Sequence, residues 1–190
     1  KDNRYLLYPL KDIMLGAEFA FKEAKPVQGI VIEYVYTKYG SGPIYHDHTA
    51  SIPDHIGGTD WVYNHYIFPG WQHWGQVMGN PLYRSPIYNN DGTISVQDNR
   101  FVAWHIGIEG RPLSGLYYRA LGTWQEGLGT YDDPYTHKRH NGSILVEATY
   151  TLQGKTLNGW SIKGAYGMDF GSILGRSTGF QFTISKAGLF

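Results

Sequence analysis

The sequence predicts an all-β fold, and within that class an antiparallel transmembrane outer-membrane β-barrel, of which this chain is a C-terminal fragment of about seven strands. Two observations predict it. Seven segments alternate apolar and polar residues with the period of two that is typical of β-strands. Aromatic residues make up 16% of the chain and charged residues only 17%. So few charged residues would leave the solvent-facing surface of a soluble all-β domain short of charge. No run approaches the roughly 20 apolar residues of a membrane helix, so crossing a bilayer would require a closed barrel.

Each of the seven segments places apolar side chains on one face and small, polar or charged side chains on the other. The fifth segment is the clearest, because Ile144, Val146 and Ala148 share one face. Glu147 and Thr149 lie on the opposite face. The predicted strands are 13–21, 29–36, 101–109, 116–125, 144–152, 160–170 and 180–185.

The connections between the segments favour a bacterial barrel. Longer connections follow the second and fourth segments, and a Gly-rich connection, 171–179, follows the sixth. Such alternation is typical of tight periplasmic turns and extended external loops, and bacterial barrels have an even number of strands. We therefore expect residues 1–190 to be the C-terminal part of one barrel domain, with at least one strand upstream and a long external or lumen-folded loop over 39–99. The short links are 22–28, 110–113 and 153–159.

Alternation alone does not say whether the apolar face points outward, and a soluble antiparallel barrel is the alternative. Aromatic residues near the ends of the apolar stripes (Tyr36, Trp124, Tyr150, Trp160) match the interfacial girdles of membrane barrels. The chain ends on Phe190, and a terminal Phe is a common signal for the barrel assembly machinery, an expected partner during biogenesis alongside outer-membrane lipid. Isolated charges on the other face suit a polar lumen: Glu18, Glu33, Arg119, Glu147, Lys163 and Asp169.

Charge and cysteine content exclude several classes of function. The formal net charge is zero, which argues against nucleic acid or an anionic membrane surface as the partner of the whole chain. Cysteine is absent, so the chain has no disulfide, thiol nucleophile or Cys-type zinc site, and this composition is compatible with the periplasm and cell surface. The first residues do not read as a signal peptide, so we expect an exported parent protein to begin upstream.

The long loop 39–99 combines Trp and Tyr side chains with amides and histidines. Sugars stack their C–H faces on aromatic rings and form hydrogen bonds through their hydroxyls, so this composition predicts glycan binding. The alternative is that Trp71, Trp74 and Met78 only pack the loop against the barrel wall. The Tyr131-Asp132 pair is first of all a turn signal. The candidate glycan-binding residues are Trp61, Tyr63, Asn64, His65, Tyr66, Trp71, Gln72, His73, Trp74, Asn80, Tyr131 and Asp132.

Metal binding and catalysis are weaker interpretations of the same loop. His46 and His48, with Asp47, Asp54 and His55 nearby, match no specific zinc or iron signature, so no metal site and no cofactor are predicted. A glycosidase would need two carboxylates at a defined separation, and Asp47, Asp54 and Asp60 could supply them. Nothing in the sequence sets their separation. No catalytic residue is therefore predicted, and a surface glycoside-processing enzyme remains an alternative.

Several motifs extend over essentially the whole chain: Ser41–His48, Tyr63–Tyr66, Gly70–Leu82, Thr123–Gln125, Gly129–Asp132 with Pro134–Thr136, and Ala165–Asp169. Together they resemble the capsule assembly Wzi family. The resemblance implies an outer-membrane barrel of about 18 strands, whose role is that of a surface lectin that helps attach capsular polysaccharide to the cell. The implied partner is therefore capsular polysaccharide, and the implied localisation is the outer membrane. A porin-like channel with a constricting loop is the alternative that we keep open.

Overall fold

A computed structural model of the protein describes residues 12–22, 26–38, 71–130, 133–154 and 157–188, together with the backbone of 44–45 and 55–56. These residues are almost entirely β, with one 3-10 turn at Pro86–Tyr88. None of them forms a helix long and apolar enough to cross a membrane. The strands are β1 (Ile13–Ala20), β2 (Gly29–Tyr36), β3 (Ile44–Tyr45), β4 (His55–Ile56), β5 (Gln72–His73), β6 (Gln76–Val77), β7 (Phe101–Leu113), β8 (Leu116–Gly129), β9 (Pro134–Thr151), β10 (Trp160–Gly171) and β11 (Ser177–Lys186).

Seven strands form one antiparallel sheet in the order β1-β2-β7-β8-β9-β10-β11. The intervening short strands form two separate pairs, β3 with β4 and β5 with β6. The register aligns Val146 of β9 with Tyr166 of β10, and Tyr166 with Phe180 of β11. Within the described residues neither edge strand, β1 or β11, pairs with a further strand. The all-β class and the seven predicted strands are confirmed, in an open sheet.

The predicted long connection after the fourth segment is wrong. β8 continues to Gly129 and β9 begins at Pro134, so the connection expected over 126–143 reduces to residues 130–133. Of the added strand residues, 126–129 contain two glycines and a single apolar residue, Leu128, and 136–141 are polar or charged on both faces, as at Lys138. They therefore lack the apolar alternation by which a sequence reveals a strand.

The short link predicted at 110–113 is also wrong, because β7 runs through Leu113 and the turn is Ser114–Gly115. Gly and Pro residues suggested a turn at 110–113, yet a strand tolerates Pro where the ladder does not need its missing N–H. The strict alternation of short and long connections consequently fails between β8 and β9, where the connection is short. The connections predicted at 22–28 and 153–159 lie between strands as expected, whereas the one predicted at 171–179 is shorter, because β10 ends at Gly171 and β11 begins at Ser177.

The chain divides into two compact units, which are described separately. The first comprises the described parts of Lys1–Leu15, Tyr34–Ala103 and Gln125–His140. The second comprises those of Gly16–Glu33, Trp104–Trp124 and Asn141–Phe190. The long strands contribute residues to both units. A single barrel domain over 1–190 stays a prediction.

In the second unit, the side chains assigned to the apolar faces are exposed or half-buried. Phe180 is 74% exposed and Val146 is 47% exposed. The opposite face is crowded, since Glu147 is buried and a Cβ at Gly107 would lie 2.6 Å from Val31 Cγ1. This arrangement is the one expected of an apolar-out barrel, and the reverse of a soluble barrel that encloses its apolar residues.

In the first unit, part of the long loop covers the polar face of the strands. Phe101 and Ala103, on the face of β7 opposite the apolar stripe, are almost fully buried. The Tyr83 ring meets the Phe101 ring edge-on, with centroids 5.4 Å apart. The buried Gln125 amide donates from Nε2 to the Leu82 carbonyl at 2.8 Å. The segment that follows β6 is therefore packed on that face, which favours the lumen-folded form of the loop prediction.

Candidate functional site

The hairpin formed by β5 and β6 carries the most exposed aromatic side chain of the described loop. Trp74 and Gly75 connect the two strands, and both have positive φ, 51° and 74°. A two-residue turn with two positive φ values is the turn that matches the twist of a hairpin. Such a conformation is strained for a bulky residue, at roughly 1–3 kcal/mol. Trp74 is nevertheless held there with its side chain 87% exposed.

The hairpin is fixed to the segment that follows it. The backbone N–H of Ile87, in the 3-10 turn, donates to the Gly75 carbonyl at 2.8 Å. The Gln72 side chain donates from Nε2 to the Ile94 carbonyl at 3.1 Å. These bonds tie both the tip and one strand of the hairpin to residues 87–94, so the tip is a positioned element of the loop.

The polar residues predicted to bind glycan have structural bonds in this hairpin. The Gln72 amide is engaged with the loop backbone, and Asn80 accepts the Leu82 N–H at Oδ1, 3.0 Å away, as a turn-forming side chain does. His73 is exposed and lies edge-on to Trp74, with ring centroids 6.1 Å apart. Gln72 and Asn80 therefore shape the hairpin, whereas His73 and Trp74 form its exposed surface.

The large apolar side chains in and beside the hairpin are exposed. Trp71 is 60% exposed, and Met78 is exposed as well as Trp74. The exposure of all three side chains does not support the alternative in which they only pack the loop against the wall, and glycan binding by Trp71 and Trp74 stays a prediction. The other candidate glycan residues lie outside the described residues, and their prediction stands untested: Trp61, Tyr63, Asn64, His65, Tyr66, Tyr131 and Asp132.

The residues considered for metal binding and glycoside cleavage (His46, His48, Asp47, Asp54, Asp60) also lie outside the described residues. His55 is described only by its backbone. Within the described part of the chain, no group of three or more His, Cys, Asp or Glu side chains could hold a metal ion.

A buried carboxyl group anchors the far end of the loop, and sequence analysis missed it. Asp98 is fully buried and accepts the Gly129 N–H at Oδ1, 3.0 Å away. Burial raises the Asp98 pKa to about 7, against the opposing effects of the Gly129 and Leu128 N–H groups and of the Arg84 and Arg139 charges. Its partner is 31 residues away in the chain, so no local pattern could have revealed the site.

Two arginines connect this anchor to the surrounding backbone. The Arg84 guanidinium donates to the Tyr88 carbonyl at 2.6 Å, at the end of the 3-10 turn. Arg100 donates from Nε to the Lys38 carbonyl at 2.9 Å and from Nη1 to the Thr130 carbonyl at 3.3 Å. Arg100 thus joins backbone that is distant in sequence, whereas Arg84 closes a local turn, and the loop is held by polar bonds as well as by its small core.

In the second unit, the charges predicted to line a lumen come together. Glu147 is bound by Arg119 at 3.1 Å and by Lys163 at 2.9 Å. The three residues lie on β8, β9 and β10, on the face opposite the apolar stripe. The predicted placement of these charges on the polar face is therefore confirmed, and they form an ion triad.

A concave space of about 460 Å³ adjoins the same face of the second unit. It is lined by His105, whose Nδ1 lies 2.7 Å from Thr123 Oγ1. Asp169 also lines it and accepts hydrogen bonds from Ser143 Oγ at 2.6 Å and from Ser177 Oγ at 2.9 Å. These polar groups are paired with one another across neighbouring strands, as on the inner face of a polar lumen.

Comparison of the chain with protein-family models, with curated proteins and with solved structures finds no match in any of the three. The resemblance to the capsule assembly Wzi family therefore stays a prediction that depends on its motifs.

Proposed function

We propose that this chain is part of an outer-membrane β-barrel of capsule assembly that binds surface polysaccharide, the capsule in particular, and helps attach it to the cell. The observation that carries the proposal is the positioned hairpin with Trp71 and Trp74 exposed. Exposed indole rings on a fixed loop provide the flat apolar surfaces on which sugar rings stack.

The sheet supports the membrane part of the proposal. In the second unit its apolar stripes are exposed or half-buried, and the charges of Arg119, Glu147 and Lys163 lie on the opposite face, the arrangement that a lipid environment selects. The open edges β1 and β11 carry backbone groups that need partners inside a bilayer. Further strands of the parent protein would close the barrel between these edges.

The binding mechanism would use many weak contacts along a repetitive polymer. Each sugar unit would stack on Trp71 or Trp74, while His73 beside Trp74 would exchange a hydrogen bond with a hydroxyl. Contacts of this kind are individually weak, but successive repeats of the polymer raise the effective concentration and thus the overall affinity. No bond of the polymer is broken or formed in this mechanism, which makes the protein a lectin.

A porin-like channel is the second candidate, and the charged face of the second unit favours it. Against it, Arg119 and Lys163 are both paired with Glu147, and in the first unit the loop covers the polar face. Conductance of the parent protein in planar bilayers separates the two functions. An open pore supports the channel, and a silent barrel supports the lectin.

The direct test uses the full-length parent protein in detergent and the capsular polysaccharide of its own cell. Saturable binding is expected, and changing Trp71 and Trp74 together to Ala should weaken it about tenfold or more, since tenfold corresponds to about 1.4 kcal/mol. Trp104→Ala is the matched control, because Trp104 is also exposed but lies on the apolar face of β7. Absence of binding by the native protein, or equal loss in the control, would contradict the lectin function.

A further inference from the structure

Three basic side chains, two from β9 and one from just beyond the end of β2, converge on one carboxylate in the first unit. Glu126 of β8 lies 3.4 Å from Lys38 Nζ, 2.9 Å from Lys138 Nζ and 3.6 Å from His140 Nε2. The Glu126 side chain is largely covered, whereas the Lys138 and His140 side chains are 57% and 52% exposed. This basic cluster therefore has a largely covered acidic centre and an accessible basic rim.

The basic cluster continues the aromatic end of the apolar face. Tyr34 and Tyr36 share a face of β2, and Lys38 lies two residues beyond the end of that strand. The two Tyr rings have centroids 6.4 Å apart, and Lys38 Nζ lies 5.7 Å from the centre of the Tyr36 ring. Glu126 follows the exposed Trp124 by two positions on β8. Aromatic residues mark the membrane interface in barrels, so the cluster occupies the level just beyond it.

The contacts of Glu126 set two ammonium groups, those of Lys38 and Lys138, against one carboxylate. The whole chain is neutral, so the basic groups are concentrated locally at this carboxylate. Lys ammonium groups are compact donors that bind phosphate oxygens.

We infer that the basic cluster binds the phosphate group of an anionic lipid in the outer leaflet. This inference depends on the proposed membrane placement, and it assigns a lipid contact in addition to the polysaccharide. Glu126 would hold the two lysines together, and the phosphate would complete the charge balance at the exposed rim formed by Lys138 and His140.

The test uses the full-length protein in vesicles of phosphatidylcholine, alone or with roughly one part in five of anionic phosphatidylglycerol. The anionic lipid should raise the midpoint of thermal unfolding, and changing Lys38 and Lys138 together to Gln should remove most of that shift. Lys186→Gln is the matched control: Lys186 also lies over an aromatic ring, 5.6 Å from the centre of Trp160, and the shift should persist. Glu126→Gln removes the counter-charge and should enlarge the shift.

Each other outcome overturns a distinct statement. An equal shift with inorganic phosphate in solution would make the ligand free phosphate and not a lipid. Loss of polysaccharide binding in the double Lys variant, with the lipid shift intact, would make the cluster a polysaccharide contact. A protein that inserts into both vesicles with no lipid-dependent shift overturns this inference alone. Failure to insert into either vesicle overturns the proposed membrane function and this inference together.

Discussion

The two units of the molecule differ in where their phenylalanine side chains lie, exposed in one unit and buried in the other. In the second unit, Phe182 of β11 is exposed on the apolar face of its strand. In the first unit, Phe101 of β7 is fully buried on the face that alternation assigns as polar. The difference teaches that alternation fixes which residues share a face, whereas burial depends on what covers that face. Here the covering element is the loop that follows β6.

The largest expected effect tests the buried side of this comparison. Phe101→Ala should lower the free energy of unfolding by about 3–5 kcal/mol, because it leaves a cavity beneath the loop. Phe182→Ala removes an exposed ring and should cost less than half as much. Urea unfolding of the full-length protein in lipid vesicles measures both. Equal costs would show that the loop does not pack on Phe101.

Substitutions of two adjacent residues on β9, Val146 and Glu147, test whether the exposed apolar face points to lipid. Val146→Arg should cost about 2–4 kcal/mol if Val146 faces lipid near the midplane. Glu147→Gln should be milder, since its partners Arg119 and Lys163 keep partly exposed side chains. The same unfolding measurement ranks the two variants. The reverse ranking would mean that the apolar face does not point to lipid.

The stability of the loop where Asp98 anchors it should depend on pH. The folded-state pKa of Asp98 is raised to about 7 from 3.8, so its stabilising contribution is complete below pH 3.8 and is lost as pH rises through about 7. Amide exchange of residues 84–98, corrected for its intrinsic pH dependence, should therefore show weaker protection at pH 8 than at pH 5, by roughly 1–3 kcal/mol.

Asp98→Asn should abolish that dependence, because the amide oxygen still accepts the Gly129 N–H and cannot ionise. Asp91→Asn is the control: hydrogen bonds from the Thr93 backbone and side chain lower the Asp91 pKa, so Asp91 stays ionised from pH 5 to pH 8 and its replacement should leave the pH dependence unchanged. If Asp98→Asn keeps the native pH dependence, another group causes it.

The smallest expected effect distinguishes the stability of the hairpin from the binding contribution of the exposed Trp74 ring. Trp74→Asn places Asn before Gly75, the pair preferred in this turn, and should stabilise the hairpin by about 1 kcal/mol by relieving strain at a positive φ. Polysaccharide binding should nevertheless weaken. Circular dichroism with binding titration checks both results. A variant that binds as well as the native protein would show that the indole ring is not a contact.

Period-two alternation could predict the seven strands, because it is a local property of each segment. The extension of β8 and β9 over 126–129 and 134–143 could not be predicted, since 126–129 are rich in glycine and 136–141 are polar on both faces. Asp98 was missed for a different reason, as its burial depends on Gly129 across the fold. Trp71 and Trp74 were predicted to bind glycan from their residue type alone. The structural bonds of Gln72 and Asn80 depend on a turn geometry that composition does not specify.

The ion triad also bears on how the strands find their alignment. A one-residue slip of β9 would turn every apolar side chain to the wrong face, so hydrophobicity alone forbids it. A two-residue slip, about 7 Å, keeps all faces correct and is not opposed by the apolar pattern. It would, however, move Glu147 away from both Arg119 and Lys163, which bind it from the strands on either side. The ion pairs of the triad thus favour one register of β8, β9 and β10 during assembly.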